Sequence, residues 1–160
     1  MSRTKGPVKK LAGRKGSRTA MAEIVELSID SKFELVDKVS ALTRTVTSKA
    51  TFDDDTSEWV DLAVREAVIN AIKHGNKNFE AKPVDVRFVV ETGKLTVYVR
   101  DRGEGFDPSK LKNCLDPENL LNPAGRGIFF MRTFMDEVDY SSHPDGGVVV
   151  RMSKAKQAEA

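Results

Sequence analysis

The 160-residue sequence contains one cysteine, Cys114, so no intrachain disulfide framework can form and a cysteine-based metal site is not expected. A single thiol fits a reducing compartment, and the expectation is a cytoplasmic protein. No apolar run approaches the length of a membrane span. The N-terminus is basic but has no apolar stretch of the kind a secretory signal needs. No Walker-type phosphate loop is present, because the Gly, Lys and Ser residues at 13–17 lack the required spacing. No internal repeat is evident.

What remains is a composition of 39% hydrophobic and 31% charged residues, which suits one soluble globular domain with a real core. The net charge of +2 conceals an asymmetry. Arg3, Lys5, Lys9, Lys10, Arg14, Lys15 and Arg18 fall within residues 1–22, which hold no acid, so the body that follows carries an acidic excess. This stretch has no periodicity and reads as a disordered basic tail. A transit peptide would look similar, and a weak attraction to nucleic acid or an acidic partner is the alternative use.

Residues 23–29 read as a strand. Ser31 is placed to cap a helix over 32–50, with Glu34 completing a capping box, and Leu35, Val39, Leu42 and Val46 form its apolar face. Residues 53–56 offer a second helix start rich in acids, and that helix runs to about His74 and stops at Gly75. Residues 76–82 form a turn. Residues 84–91 and 95–101 form a hairpin about Thr92-Gly93. A glycine-rich loop over 102–108 and a long polar connection over 109–124 precede a helix over 127–135. A last hairpin, 138–142 and 148–152, turns around Pro144 to Gly147, and 154–160 is a tail. The order predicts an α+β fold, a two-layer sandwich with a mixed, mostly antiparallel sheet covered on one face by three helices. The ordered domain spans 23–153.

Three segments carry chemistry. On the helix over 57–74, Val60, Val64, Ala67, Val68, Ala71 and Ile72 share one broad face. Glu66 and Asn70 are neighbours one turn apart, with His74 a turn beyond, and they lie near Trp59, Leu62 and Ala63. A carboxylate on such a largely apolar helix calls for water, a metal or a partner, although a solvated helix edge is the plainer reading. Asp101, Gly103 and Gly105 follow a strand, where glycines let backbone approach a ligand closely and the carboxylate can accept from a base amine; an ordinary turn gives the same pattern. Gly125, Arg126 and Gly127 precede a helix, and backbone N–H groups there suit phosphate, or simply a flexible helix start.

Order and spacing combine these signals. Glu66-x-x-x-Asn70-Ala71, then Asp101-x-Gly103-x-Gly105, then Gly125-x-Gly127 resembles the N box and two glycine boxes of the GHKL ATPase superfamily. The fuller runs from Glu66 to Gly75, Asp101 to Asp107 and Gly125 to Ile128 resemble the anti-sigma-factor serine/threonine kinases of that superfamily. The resemblance covers roughly 23–153 and implies a Bergerat-type ATP-binding fold.

It further implies that Asn70 coordinates Mg²⁺ bridging the phosphates of ATP, that Glu66 is the general base, and that Asp101 accepts from the adenine amino group. Gly103 and Gly105 would shape the adenine wall, Gly125, Arg126 and Gly127 would wrap the phosphates, and residues 108–124 would form the lid. His74 matches a histidine often found at this place, though as a bare residue it reads as a helix-end histidine. One position departs from the pattern: Gly147 and Val148 follow Gly146 where a Thr at the adenine end is usual. The implied substrate is an anti-anti-sigma (STAS-type) protein, and the sequestered partner is a sigma factor or similar regulator. The helix over 32–50 is a candidate homodimer or partner surface. Membrane association and direct nucleic-acid binding are not expected. An ATP-responsive adaptor that transfers no phosphate remains the competing function.

Overall fold

The computed structural model describes residues 21–105 and 123–158. The basic stretch 1–20, the polar connection 106–122 with Cys114 and most of the expected lid, and the last two residues lie outside that set. The elements, in chain order, are β1 (Glu23–Ile29), α1 (Val36–Lys49), α2 (Asp54–Asn70), β2 (Val84–Glu91), β3 (Lys94–Arg100), α3 (Pro123–Phe134), β4 (Glu137–Ser142) and β5 (Val148–Ala155). They form a five-stranded sheet in the order β1-β2-β3-β5-β4. Every pairing is antiparallel; tight turns join β2 to β3 and β4 to β5, whereas helices intervene between β1 and β2 and between β3 and β5.

Alternation along the strands sets the layers. Val84, Val86, Phe88 and Val90 on β2, and Leu95, Val97 and Val99 on β3, are buried, and so are Val150 and Met152 on β5. Their neighbours Arg87, Tyr98 and Arg151 point to the other face, which carries no helix among the described residues. The expected face of α2 is buried throughout, from Val60 to Ile72. Its small residues Ala63, Ala67 and Ala71 let α1, α3 and the sheet approach closely.

The first helix departs from expectation in two ways. Ser31 does not cap it. Its hydroxyl donates to the Lys82 carbonyl at 2.6 Å, and the chain enters α1 through a 3₁₀ turn, Phe33–Leu35, with no side-chain cap. The buried stripe is also rotated. Val36, Val39, Thr43 and Val46 are fully buried, whereas Leu35 and Leu42 lie at its edge. Thr43 can occupy the core because its hydroxyl bonds back to the Val39 carbonyl at 2.8 Å. The second helix is capped as expected, with Asp53 accepting from the Thr56 N–H at 2.7 Å. Strand β5 runs on to Ala155, two residues into the stretch expected to be a tail, because it pairs with β3 as far as Lys94.

Candidate functional site

The second helix does not end as an ordinary α-helix. After Asn70 the chain widens into a π turn, Ala71–Gly75, closed by the Asn76 N–H on the Ala71 carbonyl at 2.8 Å. Such an extra residue in a turn is frequent at functional sites. Lys77 and Asn78 then take left-handed backbone, with φ of 51° and 61°, and reverse the chain. The predicted helix to His74 and the stop at Gly75 are therefore right in extent but wrong in kind. The widened turn carries Gly75 against Asp101.

Asp101 is buried, at 7% exposure, at the end of β3. Its Oδ1 accepts from the backbone N–H of Gly103 at 2.9 Å and of Val148 at 3.1 Å. Its own N–H donates to the Val148 carbonyl at 3.1 Å. Oδ2 accepts no hydrogen bond from the described residues, so one acceptor remains for a donor from outside. Glycines crowd this residue. A Cβ on Gly75 would lie 2.2 Å from Oδ2, and one on Gly147 would lie 2.0 Å from the Asp101 carbonyl oxygen. Gly147 also holds φ +87°, so only glycine meets both demands.

Gly103 faces the π turn: a Cβ there would lie 2.2 Å from the Gly75 carbonyl oxygen. Gly105 is different. It takes φ +99° and faces open space, so its role in the loop is conformational. Asn76 fastens the whole corner. It is 1% exposed; its side-chain amide donates to the Ser31 hydroxyl, the Lys82 carbonyl and the Pro83 carbonyl at 2.9–3.1 Å, and its Oδ1 accepts from the Arg102 N–H at 2.7 Å. The sequence reading placed Asn76 in a plain turn. Its signal was local, an Asn directly after a helix-ending Gly, and only the fold shows what it reaches.

Glu66 and Asn70 lie half-buried on α2, and α3 runs antiparallel beside them. Gly127 on α3 is buried against both: a Cβ there would lie 2.6 Å from Glu66 Oε2 and 3.4 Å from Asn70 Nδ2. Farther along, Trp59 stacks on Phe134 at 6.4 Å, and Phe134 stacks on Phe130 at 6.3 Å. The second glycine box was expected ahead of the helix. In the structure α3 starts at Pro123, so Gly125 lies in its first turn and Gly127 a turn further in. The N–H groups left free by helix geometry are at the Ala124–Gly125 end, and Gly127 is already within the hydrogen-bond ladder. The Arg126 side chain lies outside the described ones. His74 is exposed and makes no hydrogen bond with the described residues.

The sequence-selected residues thus gather in two groups. Asp101 and Gly103 meet at Gly75 and Gly147, and Glu66 and Asn70 meet at Gly127. The continuous run of α2 and its π turn joins them, since only four residues lie between Asn70 and Gly75. An arrangement of this kind offers a buried carboxylate acceptor at one end. At the other it offers a carboxylate, an amide and the free amides of a helix start.

Residues 29–154 match the family model of the histidine kinase-like ATPase domain. Serine-protein kinase RsbW of Bacillus subtilis (strain 168) is 31% identical over 144 residues, covering 86% of this chain and 89% of that protein. Serine-protein kinase RsbW of Staphylococcus epidermidis is 30% identical over 139 residues, covering 82% and 86%. Among solved structures, the RsbU and RsbW domains of a Mycobacterium tuberculosis protein superpose with a TM-score of 0.57 at 17% identity. That match covers 84% of this chain and 33% of the other, and it bears on the fold alone.

Proposed function

This chain belongs to the histidine kinase-like ATPase domain family, and we propose that it is an ATP-dependent serine/threonine protein kinase. Its substrate is an anti-anti-sigma (STAS-type) protein, and it sequesters a sigma factor or a similar regulator. The reading is carried by one observation: α2 and its π turn touch both glycine segments, with Gly103 against Gly75 and Gly127 against Glu66 and Asn70.

In this reading Asp101 Oδ2 accepts the adenine amino N–H, while Gly103 and Gly105 shape the loop beneath the base. The helix start with Gly125, Arg126 and Gly127 faces the phosphates, and exposed His74 lies next to Gly75, toward the Asp101 end. Glu66 takes the proton of the acceptor hydroxyl as its oxygen bonds the γ-phosphorus and the bond to ADP breaks. Such transfer needs mostly positioning and charge stabilisation.

Mg²⁺ fits this donor set. No group of three or more His, Cys, Asp or Glu residues that could hold a metal is present among the described residues. One neutral amide oxygen on Asn70 suits an ion that keeps several waters and leans on substrate phosphates. When bound it would neutralise phosphate charge.

No helix among the described residues is long and apolar enough to cross a membrane, and the proposed place of work is the cytoplasm. The outer face of α1 is the proposed surface for a second copy or a partner.

The test uses labelled ATP, Mg²⁺ and a purified STAS-type protein. Transfer to a Ser or Thr should occur, and Glu66→Gln should lower its rate by about 10²–10⁴-fold while ATP still binds. ATP binding without transfer in the native protein, or full transfer by the variant, would refute the kinase reading. The first of these results would favour an ATP-responsive adaptor.

A further inference from the structure

The face of the sheet turned away from the helices carries a trough of about 440 Å³. Glu26, Ser28, Arg87, Tyr98, Arg100 and His143 line it. Register explains the gathering. Ser28, Asp85, Arg100 and Val149 form one row across β1, β2, β3 and β5, and Glu26, Arg87 and Tyr98 form the next. The turn after β4 brings His143 over the end of these rows.

Charges in the trough are unequally satisfied. Glu26 is paired with Arg87 Nε at 2.6 Å. Asp85 accepts from the Ser28 hydroxyl at 2.8 Å and is paired with Arg102. Both carboxylates are thus engaged. Arg100 has no carboxylate partner among the described residues. Of its five N–H donors, one on Nη2 reaches the Gly146 carbonyl at 3.2 Å, and Nε is buried with no acceptor. The His143 Nδ1 accepts from the Asp145 N–H at 3.0 Å, so the neutral ring carries its proton on Nε2. The unspent capacity of this trough is therefore donor capacity around one unpaired guanidinium. A cation would find both acids already neutralised. An apolar ligand would leave the donors unanswered.

We propose that this trough is a binding site for a small molecule bearing an oxyanion, phosphate or carboxylate, with Arg100 as its anchor and His143 as a second donor. A guanidinium fork matches two oxygens of either group, and the trough has the volume of an ordinary small-molecule site. It is separate from the cluster at Asp101. Arg100 is the last residue of β3 and faces the trough, whereas Asp101 directly after it is buried against Gly75 and Gly147.

The full chain would be titrated with inorganic phosphate, and in a second arm with malonate, at constant ionic strength. Binding would be followed by NMR at His143, Tyr98 and the Arg100 guanidinium. Saturable shifts at His143 and Tyr98 are expected. The same signals in Arg100→Gln should need at least tenfold more anion, and Arg100→Lys, which keeps the charge but loses the fork, should fall between. Whichever anion saturates at lower concentration identifies the source of the oxyanion. Shifts confined to residues 124–127 that survive Arg100→Gln belong to the other face and count against the proposal. So does a linear, unsaturating response at His143, or equal affinity in Arg100→Gln with a native-like amide spectrum.

Discussion

At the scale of single residues, glycines matter here for what they let come close. Gly127 leaves Glu66 and Asn70 the room that a methyl group would fill. An alanine in a helix interior ordinarily stabilises it by about 1 kcal/mol relative to glycine. Gly127→Ala should thus retain the fold, yet its Cβ would stand 2.6 Å from Glu66 Oε2 and push the carboxylate aside. Displacement by about an ångström at a reacting group can cost roughly 10²-fold in rate. The expected outcome is a loss of kcat of that order at near-normal or raised Tm, and unchanged kcat would show that Glu66 does not act where it stands. Gly147 holds its place for two reasons at once, a left-handed backbone and contact with the Asp101 carbonyl. The sequence motif flagged Gly103 and Gly127, but nothing local in Gly146-Gly147 told which glycine would meet a strand 46 residues earlier.

Asn76 belongs to the scale of elements, because it joins four of them. One side chain ties the end of the π turn to Ser31 beyond β1, to Lys82 and Pro83 ahead of β2, and to the loop after β3. Asn76→Ala would leave several buried groups without partners, and a loss of about 2–4 kcal/mol in urea unfolding is expected. A loss below ~0.5 kcal/mol would mean that water replaces the side chain freely. The sheet edge offers a second test. The Glu137 carboxyl lies below its ordinary value near 4.5, held there first by the Ser153 hydroxyl and then by Arg151. A carboxyl whose pKa is lower folded than unfolded contributes its stability above the unfolded value. It loses that contribution as pH falls through the folded one. The Tm difference between the native protein and Glu137→Gln should be largest above about pH 5 and close below it. A pH-independent difference would contradict the pairing.

Element boundaries show where reading the sequence stops. Periodicity found the face of α2 that carries Val60, Val64, Ala67 and Val68, which repeat at helical spacing, but not Asp61 and Ala63 beside it, which are buried too. On α1 it found Val39 and Val46, with Leu35 and Leu42 packed at the edge, but missed Thr43 and Thr47, which score as polar yet satisfy their hydroxyls on the helix's own carbonyls. Ser31 followed by Glu34 has the spacing of a capping box, but its hydroxyl is claimed by Lys82, 51 residues away. The π turn was invisible, since Ala-Ile-Lys-His-Gly serves equally well as an ordinary helical turn. Tertiary contact with Asp101 goes with the wider form.

For the whole molecule, the fold follows from two hairpins, two helix-bearing connections and alternation along the strands. Among the described residues, five antiparallel strands present one apolar face, and three helices cover it. The other face is a polar lattice whose rows are fixed by register. Helix α2 crosses the covered side so that its half-buried edge reaches both glycine segments, and the proposed nucleotide site depends on that crossing. The measurement that tests this most directly is calorimetric titration of ATP, with and without Mg²⁺, into the native protein, Asp101→Ala and Asn70→Ala. Losing a hydrogen bond to a charged acceptor is worth about 1.5–3 kcal/mol, so Asp101→Ala should bind roughly 10–100-fold more weakly with or without the ion. Asn70→Ala should lose the Mg²⁺-dependent part of the affinity. ATP binding of native strength in both variants would place the nucleotide elsewhere and contradict the account.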